Sequence, residues 1–114
     1  MSKSERNKGA EGEREICALI HDHLGIRVNR NLMQSACGGS DIKLSPYAIE
    51  VKRRARIGNI YDWMKQAKAG CSQEERPIVF CRADREQWLA VMPIEEAFRL
   101  MREELDLFPW ELEE

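Results

Sequence analysis

Asp41, Glu50 and Lys52 are the residues of this chain whose types and spacing can do chemistry. They sit at the ends of one stretch, from Gly38-Gly39-Ser40-Asp41 to Glu50-Val51-Lys52, that reads as a β-hairpin turning at Ser45-Pro46. Folding the chain back at that point sets position 44 against 47, 42 against 49 and 41 against 50. Side chains alternate along a strand. Ile42, Leu44, Tyr47 and Ile49 therefore share an apolar face, while Asp41, Lys43, Ala48, Glu50 and Lys52 share the other. Two carboxylates then stand directly opposed, which by itself is destabilising. A divalent cation between them turns the repulsion into attraction, and Mg²⁺ is commonly held by one or two carboxylates with substrate phosphate oxygens. An ordinary hairpin with a polar outer face accounts for Glu50 and Lys52 alone. The cross-strand Asp41 and the two preceding glycines favour a site. Pro46 is disfavoured at the third position of a type I turn. A four-residue loop, or a cis peptide bond, keeps the register.

The elements that must carry this hairpin belong to one domain, since the chain has 114 residues. Charged residues make up 33% and hydrophobic residues 43%, the balance of a globular chain rather than a disordered one. Its apolar runs are too short to span a membrane. The start, Met-Ser-Lys-Ser-Glu-Arg, lacks the apolar region of a signal peptide. A cytoplasmic protein is expected. Cys17, Cys37, Cys71 and Cys81 form no close pair and no zinc spacing. They read as reduced thiols, with Cys17 and Cys81 in the core. Charge is uneven: residues 1–70 hold 13 Lys/Arg against 8 Asp/Glu, residues 71–114 hold 5 against 12. A basic face, not a uniform charge, is the mark of a nucleic-acid binder, so the net charge of −2 does not exclude DNA.

In chain order, residues 1–8 are polar and read as a frayed end. A first helix is predicted from Ala10 to Leu24, with Ile16, Cys17, Ile20 and Leu24 as its apolar stripe and Gly25 as its C-cap. Glu13 lies on that stripe. Two readings stand: a carboxylate aimed inward, costly unless paired or bound to metal, or a first-turn acid that points outward and favours the helix dipole. His21 and His23 are two apart and share no helix face; they read as surface or helix-end residues. Ile26 to Arg30 is predicted as a strand, followed by a loop over 31–40. After the hairpin, Lys52-Arg53-Arg54-Ala55-Arg56 places four cations in five residues, either a solvated face or a set of phosphate contacts. A second helix is predicted over Asn59 to Ala69, burying Ile60, Trp63, Met64 and Ala67, with Gln66 on its flank. Two strands follow, Pro77 to Cys81 and Gln87 to Val91, paired as a second hairpin. Pro93 fits the first turn of a last helix, Ile94 to Leu105, whose apolar face is Ile94, Ala97, Phe98, Met101 and Leu105. The tail Phe108-Pro109-Trp110 can dock on the body or on a second subunit. The order α-β-β-β-α-β-β-α implies an α/β (α+β) domain, a mixed central β-sheet flanked by helices.

Taken together these residues resemble the PD-(D/E)XK nuclease superfamily, and within it the archaeal-type Holliday-junction resolvases. Lys8-Gly9 and Glu13-Arg14 match the start of the first helix, Arg30 an arginine at the end of the first strand, Asp41-Ile42 the second strand, and Ile49-Glu50-Val51-Lys52 the Ile-Glu-x-Lys strand. Tyr61 to Gln66 resembles the following helix, and Pro77 to Val91 the later strands more loosely. The resemblance spans about residues 8–91. Ser40 stands where the family has proline, the loop before it is shorter, and the family's loop serine corresponds to Ser35 or Ser40.

The resemblance implies a restriction-endonuclease-like core and a metal-dependent endodeoxyribonuclease. Asp41, Glu50 and the Val51 carbonyl would hold Mg²⁺, with Mn²⁺ as a substitute, and Glu13 would complete the cation's environment directly or through water. Lys52 would orient the attacking water or stabilise developing charge, and Gln66 would help position the site. Arg14, Arg30, Ser40, Arg53, Arg54 and Arg56 are the candidate DNA contacts. The implied partner is branched DNA such as a four-way junction, cut by a homodimer, since symmetric cleavage needs two active sites. The short chain and short loops suit a phage enzyme acting in the host cytoplasm. Three other readings remain: a VRR-type or other structure-specific nuclease cutting flaps or nicked duplex, a catalytically silent DNA-binding module, and a structural protein docking through Phe108-Pro109-Trp110.

Overall fold

A computed structural model describes residues 3–32 and 39–106. Ser35, Cys37, Gly38 and the Phe108-Pro109-Trp110 tail lie outside them. The described chain forms α1 (Lys3–Leu24), β1 (Ile42–Leu44), β2 (Tyr47–Arg53), α2 (Ile60–Ala69), β3 (Arg76–Arg82), β4 (Leu89–Val91) and α3 (Ile94–Glu104).

The central hairpin has the register its alternation predicts, with Ile42 opposite Ile49 and Leu44 opposite Tyr47 across a cis Ser45-Pro46 bond. β2 then pairs in parallel with β3, and β3 antiparallel with β4. The result is a mixed four-stranded sheet in the order β1-β2-β3-β4. A parallel pair needs a crossover, and α2 supplies it.

Alternation along β2 and β3 divides the core in two. Ile49, Val51 and Ile78 point to one face, where Ile16 and Ile20 of α1 cover them together with Ile42. Val79 and Cys81 point to the other, under Ala67 of α2 with Trp63 and Met64 packed beside it. α2 begins where Asn59 accepts hydrogen bonds from the backbone N–H of Tyr61 and Asp62, and stops at Gly70. Gly25 ends α1 with φ +69°, a left-handed conformation that costs glycine little.

Four expectations need correction. Ile26 to Arg30 is not a strand: within it only Arg30 bridges Ile42, while Val28 packs on the core. β1 is only three residues long and offers too little free edge for a fifth strand to pair along. α1 starts at Lys3 rather than Ala10, and Lys8 reaches Asp84 at 3.0 Å in the β3–β4 turn. Ile60 is exposed at the first turn of α2 rather than buried. Pro93 is the N-cap of α3 rather than a first-turn residue, and the apolar face of that helix is turned away from the body.

Candidate active site

The site lies where β2 leaves the hairpin, between the layers of α1 and α2. Glu50 and Lys52 alternate onto the α2 face of β2, flanking Val51, which packs into the α1 core. Asp41 stands one residue before β1. Its Oδ2 accepts a 2.7 Å hydrogen bond from the Val51 N–H, so the two ends of the hairpin are tied at the point where the carboxylates meet. Asp41, Glu50, Lys52 and Glu13 are all buried.

Glu13 resolves in favour of the inward reading. The preceding residue, Gly12, lets α1 approach β2: a Cβ there would lie 2.7 Å from the Arg53 Cβ and 3.4 Å from Trp88. That approach delivers the Glu13 carboxylate to Arg30, whose Nε donates to Oε1 at 3.1 Å. Arg30 in turn is fixed by its bridge to Ile42. The irregular segment after α1 therefore carries a site residue although it is no strand.

Electrostatics mark the cluster. Burial, then the charge of Asp41, pushes the Glu50 carboxyl up to about 7, against the opposing pull of Lys52. Glu13 is raised by burial and by Asp41, partly offset by Arg30. Burial draws the Lys52 ammonium down from its usual value. Perturbed groups of opposite sign crowded together are the pattern of a functional site.

Lys52 is aimed by α2. Its Nζ donates to Gln66 Oε1 at 2.6 Å, which fixes an otherwise flexible four-carbon chain. Gln66 itself is exposed. Among the basic candidates, Arg14 and Arg56 are exposed and Arg54 half-buried. Arg53 is drawn to Asp84 at 2.6 Å. Ser40 is buried, its hydroxyl donating to the Ile42 carbonyl. Sequence reasoning missed Asn31, whose side chain donates to the Ser40 carbonyl at 3.0 Å and whose N–H donates to the Asp41 carbonyl at 2.7 Å. It pins the segment leading into β1 that presents Asp41. Its place beside Arg30 is the only hint the sequence holds.

Asp41, Glu50 and the Val51 carbonyl offer hard oxygen donors, the set that suits Mg²⁺ or Mn²⁺. Burial and the charge of Asp41 raise both Glu50 and Glu13, and a cation among these carboxylates would offset that repulsion. Among the described residues no three His, Cys, Asp or Glu side chains form a cation cage by themselves. Mg²⁺ does not need one, because it keeps several waters and takes one or two carboxylates. The residues present fit such an ion.

Mixed sheet, flanking helices and the buried Asp41, Glu50, Lys52 triplet define a restriction-endonuclease-like α+β fold of the PD-(D/E)XK nuclease class. The chain belongs to the family described as "phage putative PDDEXK endonuclease", which matches residues 4–109. Membership makes it a nuclease with DNA as substrate. No curated protein and no solved structure matches it. No helix among the described residues is long and apolar enough to cross a membrane.

Proposed function

We propose that the protein is a Mg²⁺-dependent endonuclease that acts as a homodimer on branched DNA, with the four-way junction as its leading substrate. The observation that supports the chemistry is the burial of Asp41 and Glu50 beside Lys52 at one point of the sheet.

In this reading Asp41, Glu50 and the Val51 carbonyl would hold the cation, and Glu13, held by Arg30, would complete its environment directly or through water. The ion's contribution is to acidify water and offset charge on the phosphoryl oxygens. The chain's own residues do the rest. Lys52, positioned by Gln66, orients the attacking water and stabilises negative charge as it develops. Water oxygen bonds to phosphorus and gives up a proton to solvent, the bond from phosphorus to the 3′-oxygen breaks, and that oxygen takes a proton from solvent to leave as a hydroxyl. The 5′-phosphate stays on the other strand end. Arg14, Arg54 and Arg56 bind flanking phosphates, which fixes position without reading sequence.

Junction preference rests on the motif order from Lys8 to Gln66, which resembles the archaeal-type resolvases. The deciding experiment is cleavage of a mobile four-way junction, with Mg²⁺ and with EDTA, by wild type and Asp41→Asn side by side. Flap, nicked and linear duplexes are run in parallel. Paired, metal-dependent nicks in the junction alone, lost in the variant, support the proposal. Preferential cutting of flaps or nicked duplex moves the substrate to another branched structure, and binding with no cleavage of any substrate overturns the nuclease reading of the site.

A further inference from the structure

Helix α3 is mounted with its polar face on the body and its apolar face in solvent. Ile94, Phe98, Met101 and Leu105 recur at spacings of 4, 3 and 4 residues and form one stripe. They are 63, 56, 55 and 66% exposed. About 100° per residue puts Glu96, Arg99 and Glu103 on the opposite side. There Glu96 is buried and accepts from Arg76 Nη1 at 2.8 Å and Arg99 Nη2 at 2.6 Å, with Tyr47 Oη also within reach. An amphipathic helix normally buries its apolar stripe. Here a buried glutamate anchors the helix and holds the stripe outward. Among the described residues nothing covers it.

We infer that this stripe is the homodimer interface, occupied by the same helix of a second copy running antiparallel across a twofold axis. The inference rests on the homodimer proposed above and gives it a location. The argument for self-association is charge complementarity. Glu95 and Arg102 lie on one flank of the stripe, seven residues apart, and both are exposed. An antiparallel pair centred between Phe98 and Met101 sets Ile94 against Leu105 of the second copy and Phe98 against Met101 of the second copy. It also brings Glu95 beside Arg102 of the second copy, and the symmetry repeats that ion pair. A parallel arrangement does not bring these two flanks together. Such a twofold interface is self-complementary, the commonest form of closed oligomer. Four large apolar residues from each copy make a seam at or below the low end of specific interfaces, about 1,200 Å² in total, so the dimer is expected to dissociate on dilution.

The test is sedimentation of the full chain over a concentration series, for wild type, Phe98→Glu, Arg102→Glu and the double variant Glu95→Arg/Arg102→Glu. Wild type should dimerise reversibly. Phe98→Glu and Arg102→Glu should each weaken the dimer at least tenfold, and the charge-swapped double variant should regain most of the loss. These positions are exposed, and circular dichroism with a thermal melt checks that each variant is folded. A wild-type dimer indifferent to Phe98→Glu and Arg102→Glu overturns this interface while leaving the homodimer standing. A wild-type monomer, with or without junction DNA, overturns both. A monomer whose melting temperature drops in Phe98→Glu assigns the stripe to the chain's own residues instead, and also overturns the proposal. Junction cleavage measured on the same samples tests the nuclease reading separately.

Discussion

Lys52 Nζ donates a 2.6 Å hydrogen bond to Gln66 Oε1, across from the strand to the helix that covers it. This single bond joins the site lysine to the α2 layer, and its consequence is testable. Lys52→Ala should cut the cleavage rate by about 10²–10³, the typical cost of removing a charge-stabilising group. Gln66→Ala should cost less, about tenfold, because the ammonium remains but is no longer aimed. Neither should change junction affinity much. If Gln66 positions Lys52, Gln66→Ala should also move the pH profile of cleavage, because Lys52 loses a neighbour that holds its charged form. An unchanged profile and rate would make Gln66 a bystander.

Glu50 sets a pH dependence on the metal-free protein. Its folded-state pKa, about 7, lies above the ordinary glutamate value of 4.5. Between those values the folded state binds more protons than the unfolded state, so stability falls as pH rises through the window, by at most ~1.4 kcal/mol per pH unit for one group. Glu13 acts in the same direction. Melting temperatures in EDTA should therefore decline from about pH 5 to about pH 7.5, and Glu50→Gln should flatten the decline. Adding Mg²⁺ at the upper end of that range should raise the wild-type melting temperature and leave Asp41→Asn unmoved. Equal stabilisation of both proteins by Mg²⁺ would place the cation elsewhere.

Two glycines of α1 should respond in opposite ways to alanine. A Cβ on Gly9 would meet nothing within 4 Å. Gly9→Ala should therefore gain helix propensity of up to about 1 kcal/mol. Gly12→Ala has the same propensity gain, but its Cβ would meet the Arg53 Cβ at 2.7 Å, a contact no flexible chain end can relieve. Overpacking costs ~1–3 kcal/mol, which outweighs the gain and pushes Glu13 out of reach of Arg30. Differential scanning calorimetry should show Gly9→Ala above wild type and Gly12→Ala below it, with cleavage reduced only in the latter. A stabilised, fully active Gly12→Ala would show that the close approach of α1 to β2 is not needed.

The hairpin was legible because alternation fixes a register once one face is buried, and Asn59 and Gly70 bracket α2 in plain view. Less could be read where the deciding partner is remote. Glu13 had two readings until Arg30, 17 residues away, supplied the counter-charge. Ile26 to Arg30 has a strand's alternation, but a strand needs a neighbour's free edge, and β1 is too short to give one. The first turns of α1 carry no apolar period, so nothing in them announces a helix. In α3 the periodicity reveals an apolar face without saying which way it looks. That direction is set by Glu96 and by Arg76 from another strand, a pairing that no local pattern contains.

Glu96 therefore controls both the seating of α3 and, through it, the outward stripe. Hydrogen bonds from Arg99, then from Arg76, hold its carboxyl below the usual range. A depressed folded-state pKa means a stabilising contribution that is complete above the unfolded value of about 4.5 and is lost as pH falls through the lower folded value. The melting-temperature difference between wild type and Glu96→Gln should be largest near neutral pH and should shrink as the solution is acidified below the ordinary glutamate value of 4.5. Glu96→Ala removes the acceptor for Arg76, Arg99 and Tyr47 together. It should lower the melting temperature by several degrees and weaken the dimer, although it touches none of the stripe residues. The site residues are on other elements, so single-turnover cleavage at concentrations high enough to restore the dimer should recover. Loss of stability with an intact dimer would mean that α3 keeps its seat without Glu96, and that the anchor lies elsewhere along the helix.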